Sequence, residues 1–342
     1  MRQSLGSVGA SAAVLLCAAG CGETANASRI LTNPRALAIR VEIIEEGPNS
    51  VDLIPIPADR VRSQPLPQDT IELQIMIADA TGIRNSDDFD PRWFVCPSFQ
   101  CTLGDHEVPS CLLGDPSVEV CELEQVARPQ LMIPALDASD DVVFTIGVLV
   151  VAGVPGARST DECVQEFKFT ARESFEGCVL GWTSIPLGPV GPLIRSATAA
   201  GGDLSWLAPE VLAIAAADAQ PGFHPEIVGL ALRERLADGS FGVEITATSE
   251  ATLVPPRTDF LALALSDQRD RQQYVLPSAL AQGSLPLFHE GLAGLVFWTG
   301  GEASGLSDVR TGEPGERFET IVVLSDSRGG IDWRSFKFEV QD

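Results

Sequence analysis

The sequence predicts a mainly β protein with two β-sandwich modules, the first carrying a cysteine-rich insertion, joined by a segment with a short helix. Three observations support this: short runs alternating apolar and polar residues with period two, Gly, Pro and Asp punctuation between the runs, and β-branched or aromatic residues within them. At 342 residues the chain is long enough for two domains with separate cores. The expected order is an apolar leader over 1–20, a tether over 21–35, a first module over 36–190, a linker with a short helix over 191–221 and a last module over 222–342.

Order is expected to begin near Ala36, because residues 22–34 are small and polar. Leu37-Ala38-Ile39-Arg40-Val41-Glu42-Ile43 alternates as a half-buried strand does, and so does Thr70-Ile71-Glu72-Leu73-Gln74-Ile75-Met76-Ile77. Between them, Pro48, Pro55, Pro57 and Pro65 deny any helical period, which predicts loop or edge strand. Arg92 to Cys96 reads as a third strand, residues 103–130 as loop, and Val142 to Val151 as a β-branched strand closed by Gly153 and Pro155. Thr160 to Phe175 is a helical stretch, after which Cys178 to Trp182 returns to strand. Pro186 to Gly202, rich in Gly, Pro and Ala, is the expected module boundary. Leu207 to Ala219 is the clearest helix, with Pro209 in its first turn.

Strand pattern resumes at Ile227 to Leu232, turns at Asp238-Gly239 and continues over Phe241 to Ala247. Phe260 to Leu265, Leu295 to Trp298, Phe318 to Leu324 and Phe336 to Val340 complete the set. Tandem Gly329-Gly330 suits a hairpin turn, since glycine takes positive φ without steric cost, and Trp333 just past it is placed to fix the register. The run Phe318 to Gly330 and its closing strand, with Leu295 to Gly301 before them, resembles the end of an immunoglobulin-like module of the polycystic-kidney-disease or cadherin-like sort. That resemblance implies a fold and no activity.

The leader carries more information about place than about chemistry. Arg2, an apolar run around Val14 to Leu16 and Ala18-Ala19-Gly20 have the layout of an export signal. With Cys21 directly after, the segment resembles a bacterial lipoprotein signal, with Ala18 where that family most often has leucine. The resemblance implies that Cys21 carries palmitate-like acyl chains, which anchor stably when two or more are present. Gly22, in place of a retention aspartate, implies the outer membrane. The whole layout resembles envelope lipoproteins of high-GC Gram-negative bacteria, a group with no chemistry to carry over.

An exported chain with Cys96, Cys101, Cys111, Cys121, Cys163 and Cys178 predicts a disulfide framework. Spacing alone does not fix the pairing; Cys163 with Cys178 is favoured because the other four lie together upstream. His106 sits between Cys101 and Cys111, but no C-x-x-C pair accompanies it, so bridging is expected over metal ligation. Among carboxylates, Asp87-Asp88-Phe89-Asp90 and the cluster Asp137, Asp140, Asp141 are the calcium candidates, although neither fits the EF-hand pattern. No other cofactor is indicated.

The chain holds 23 basic residues, one of them Arg2 in the leader, against 47 acidic ones. Such a surface repels phosphate backbones, which excludes nucleic acid as a partner. Lys168 and Lys337 are the only lysines. No G-x-S-x-G, S-x-x-K, H-E-x-x-H or P-loop appears, and His224 and His289 are expected in solvated loops. Trp93 and Trp298 are expected as core anchors, and with Tyr274 the lone tyrosine, aromatics for a sugar cleft are few. The expected function is a membrane-anchored envelope lipoprotein with a non-catalytic binding or structural role, presenting β-sandwich loops to a protein or glycan partner. The alternative is an exported carbohydrate-active hydrolase using paired carboxylates.

Overall fold

A computed structural model of the chain describes residues 29–97, 122–135, 145–170, 176–202, 204–205, 208–247, 251–270, 272–275, 287–303 and 307–342. The first module contains β1 (Arg35–Glu45), β2 (Thr70–Asp79), β3 (Gly82–Arg84), β4 (Arg92–Pro97), β5 (Gln130–Met132), β6 (Thr145–Gly153), α1 (Thr160–Thr170) and β7 (Cys178–Pro186). Two helices follow, α2 (Val190–Ala199) and α3 (Pro209–Ala217). The second module contains β8 (Ile227–Arg235), β9 (Phe241–Ala247), β10 (Thr252–Val254), β11 (Asp259–Ser266), β12 (Gln273–Val275), β13 (Leu287–His289), β14 (Ala293–Trp298), β15 (Glu302–Ala303), β16 (Asp308–Arg310), β17 (Arg317–Ser325) and β18 (Ile331–Val340).

The sheets stack in four layers. The outermost is β4-β6-β7; beneath it lies β1-β2-β3, with β5 also on β2. Ile39, Val41, Ile71, Leu73, Ile75 and Ile77 from one sheet close on Trp93, Val148 and Val150 from the other. In the second module β10-β18-β17-β14 faces β15-β16-β11-β8-β9, with Trp298, Val322 and Phe336 packed on Leu230, Leu232 and Phe260. Both tryptophans expected as core anchors are fully buried.

A third apolar layer joins the two sandwiches. Leu37, Ala38, Met76 and Ala78, on the outward face of β1 and β2, pack against Phe297, Ile321, Val323 and Ile331 of the second module. The two middle sheets are therefore covered on both faces. This is why β17 reads Thr-Ile-Val-Val-Leu without alternation: Val322 and Leu324 enter one core while Ile321 and Val323 enter the other.

The segment expected as a module boundary is ordered and docked. Residues 190–199 form α2, and its Leu193 enters the first core. Val190 and Ile194 pack on Ala215 and Leu212 of α3, and the Gly191 N–H donates to Asp218 O at 2.9 Å. Gly and Pro content alone suggests loop here. The apolar face of Val190, Leu193, Ile194 and Ala197 outweighs it, because burial repays poor intrinsic propensity.

α1 starts with a capping box: Glu162 accepts from the Ser159 N–H at 2.9 Å and its hydroxyl at 2.8 Å, and the Ser159 hydroxyl accepts from the Glu162 N–H at 3.3 Å. The helix lays Val164 and Phe167 on the outer face of β4, β6 and β7, and the Cys163–Cys178 disulfide pins it there. The favoured pairing is thus formed. Cys96 lies on β4, while Cys101, Cys111, Cys121 and His106 fall outside the described residues.

The β17–β18 hairpin has the expected register, with Val323 opposite Trp333. The two turn glycines play different parts. Gly329 carries the positive φ, at 85°, whereas Gly330 does not. A Cβ on Gly330 would lie 2.2 Å from Asp326 Oδ2 and 2.9 Å from Phe223 O. Gly330→Val is therefore expected to destabilise the protein by about 1–3 kcal/mol through overpacking against a held carboxyl. A melting temperature equal to that of the parent would contradict this contact.

Candidate functional site

Turn 326–330 projects into the junction between the modules, and a cluster of buried polar groups forms around it. Asp326 Oδ1 accepts the N–H groups of Arg328 at 2.7 Å and Gly330 at 2.8 Å, which shapes the turn. The Arg328 side chain, 2% exposed, reaches across the junction. Its Nε and Nη2 donate to Gln64 Oε1 at 3.3 and 2.9 Å, its Nη1 to Gln272 Oε1 at 3.0 Å, and its Nη2 also to Gln220 O. One guanidinium thus ties together the loop after β1, the end of the helical segment and the second module.

Glu290 borders the same cluster at 6% exposure, and its Oε2 accepts from the Gln272 N–H at 3.2 Å. Burial raises its carboxyl above the usual range, against the opposing charge of Arg328. Asp326 is raised further, by burial first and by the neighbouring Glu290 second. Both carboxyls are buried and accept hydrogen bonds from the chain around them.

His224 is a correction to the sequence reading. In place of a solvated loop it occupies a site between the modules, 4% exposed. Its Nδ1 accepts the Ile331 N–H at 3.0 Å, which leaves the proton on Nε2 to donate to Val41 O at 2.8 Å. Burial, then the charge of Arg40, lowers its pKa to about 3, so the ring is neutral at physiological pH. His289, expected in a loop, lies on β13 opposite Gln273. His224 beside Pro225 and His289 three residues after Pro286 carry no local signal of a tertiary contact, which is why neither placement was legible.

Three further arginines are consumed within the fold. Arg60 lies 3.0 Å from Asp270, 3.1 Å from Asp267 and 3.3 Å from Glu226, with its guanidinium 5.5 Å over the Phe223 ring. Arg269 grips Asp267 and Asp59 together and holds Asp267 down to about 2. Arg62 pairs with Asp69 within the proline-rich loop. Arg60 and Arg269 add polar bridges between the modules at the same pole as Arg328.

The opposite pole carries a shallow polar cleft of about 460 Å³, lined by Arg257, Glu302, Arg310, Thr311, Glu313 and Glu316. Arg257, at φ 51°, makes a forked contact with Glu313, Nη2 to Oε2 at 2.7 Å. The first described residues enter at this pole, where Ile30 bridges Trp298 in parallel. β17, nine residues long, separates the poles by roughly 30 Å at about 3.3 Å per residue.

Of the sequence candidates, Asp87, Asp88 and Asp90 are exposed, with Asp90 engaged by Gln125 at 2.8 Å. Asp137, Asp140, Asp141 and Cys21 lie outside the described residues. Among the described residues no three His, Cys, Asp or Glu side chains come together as metal ligands. No helix of the described residues is long and apolar enough to cross a membrane. The chain matches no protein-family model and no curated protein.

Proposed function

We propose that the protein is a lipid-anchored envelope lipoprotein with a non-catalytic role, a two-module stack that presents its loops to a protein or glycan partner. The observation carrying this reading is Cys21 directly behind Ala18-Ala19-Gly20 and an apolar leader. The fold supports it in two ways. The anchor joins the stack at the cleft pole, since the main chain of Arg29 is held by the Trp298 N–H at 2.9 Å. Residues 22–28 reach at most about 25 Å when fully extended, so that pole stays near the bilayer. The second support is the apolar inter-module layer, which makes the stack a spacer and not two beads on a string. The Arg328 pole then points away from the membrane.

Cys21→Ser is expected to abolish acylation and release the protein from membranes into the soluble envelope fraction. Wild-type protein that partitions into the aqueous phase on detergent extraction would overturn the anchor. Crosslinking in intact envelopes, followed by identification of neighbours, tests the binding role.

A further inference from the structure

The apolar face of β9 continues past the core that it serves. Phe241, Val243, Ile245 and Ala247 alternate on one side of the strand. Ala247 is 1% exposed and Ile245 packs against the second core, but Val243 is 63% and Phe241 51% exposed. Leu236, across the turn, is exposed as well. In a hairpin facing only water these positions gain nothing from being apolar, so a group of large apolar side chains there marks a surface that is covered in use.

β11 starts at Asp259 and its ladder to β8 starts with Phe260 opposite Glu234, so residues 236–241 stand beyond it. Every residue from 235 to 244 is exposed. Asp259 in turn lies opposite Arg310 of the polar cleft, and Arg235 Nη2 is 2.9 Å from Asp308 Oδ1. The hairpin therefore projects at the cleft pole. We propose that the β8–β9 hairpin is a second membrane contact, resting Leu236, Phe241 and Val243 on the lipid surface, a role that presupposes the acylated Cys21 proposed above. Seven residues, 22–28, separate Cys21 from Arg29, a span of at most about 25 Å, so the lipid surface is the apolar phase within reach of this pole.

The turn sets how the hairpin lies. The Leu236 N–H donates to Ser240 O at 2.9 Å, and Asp238 Oδ1 accepts the Ser240 N–H at 2.9 Å and its hydroxyl at 2.6 Å, with Gly239 at φ 82°. Asp238 and Ser240 keep the tip polar. The hairpin thus lies along the surface, its apolar side about 5–10 Å into the boundary of headgroups and acyl chains and Asp238 at headgroup level. An anchor alone fixes distance and leaves tilt free. A second contact also sets the tilt, which holds the Arg328 pole away from the bilayer.

The charges select the lipid. Residues 233–244 hold Arg233 and Arg235 against Glu234, Asp238 and Glu244. Both arginines are engaged, Arg233 with Glu244 at 2.6 Å and Arg235 with Asp308. No basic excess is left to draw anionic headgroups, so the surface is a zwitterionic bilayer and the attraction is apolar. A second copy of the chain, pairing along the free edge of β9, is the competing occupant. It would bring together two chains of formal net charge −24, which repel.

The test uses the mature chain from residue 21 with Cys21→Ser, which carries neither leader nor acyl chains, and vesicles of phosphatidylcholine and phosphatidylethanolamine. Cosedimentation is expected to show binding that salt does not weaken. Phe241→Ser with Val243→Ser is expected to weaken it by about tenfold or more, given what burying such side chains is worth. Val228→Ser, an exposed apolar position at the other end of β8, is expected to leave it unchanged. No binding by the parent, binding only when phosphatidylglycerol is added, or binding that survives the double variant would overturn the contact. So would a lipid-free dimer that the double variant dissociates, because the face then belongs to a second copy. The anchor fails on a different measurement, the absence of acyl mass on Cys21 of the wild type, which leaves the vesicle result as it stands.

Discussion

Replacing Arg328 with methionine is expected to destabilise the protein by about 3–5 kcal/mol, the usual cost of breaking a buried, hydrogen-bonded charge network from one side. Methionine fills much of the volume, so the loss is polar and not a cavity. Gln64 Oε1, Gln272 Oε1 and Gln220 O would each lose a donor, and Asp326 and Glu290 would lose the positive charge that opposes the effect of their burial. Arg328→Lys is expected to recover little, because one ammonium cannot span acceptors that a planar guanidinium meets on several edges. The measurement is urea unfolding followed by tryptophan fluorescence, with Trp93 in one core and Trp298 in the other. Because Arg328 bridges modules, the variant should split a single transition into two. A loss under about 1 kcal/mol, the value of an exposed pair, would mean the side chain is solvated.

How much of this was legible depends on the range of the interaction. The strands were readable because their signal is local: Ile71, Leu73, Ile75 and Ile77 alternate, and turn dipeptides such as Asp238-Gly239 mark the breaks between runs. The inter-module layer was half legible. Met76 and Ala78 on the supposedly polar face of β2, and the unbroken run Ile321 to Leu324, carry the signature of strands buried on both sides. α2 was missed because Gly191 and Pro192 outweigh its apolar face when only composition is read. The junction cluster was not legible at all. Arg328 sits in a sequence that reads as an exposed turn, and its partner Gln64 is 264 residues away. Nothing near either residue announces the other.

The last expectation concerns Asp69, where a proline-rich loop is held by one side chain. Asp69 is fully buried and collects the Gly47 N–H at 2.6 Å, the Ser50 hydroxyl at 2.9 Å, the Leu66 N–H at 2.7 Å and the Arg62 guanidinium. The loop from 47 to 69 has little regular structure of its own, so these bonds supply what a sheet ladder supplies elsewhere. Asp69→Ala is expected to cost about 3–5 kcal/mol, because it strands Arg62 in a buried site with only the exposed Glu46, 3.5 Å away, as a counter-charge. Burial already lowers the pKa of Arg62, and Asp69 is the first charge opposing that effect. The double variant Arg62→Met with Asp69→Leu should be markedly less damaged than Asp69→Ala, since removing both charges leaves nothing unpaired. If denaturant titration instead finds that the double variant loses as much as the two single variants added together, the pair is not acting as a unit.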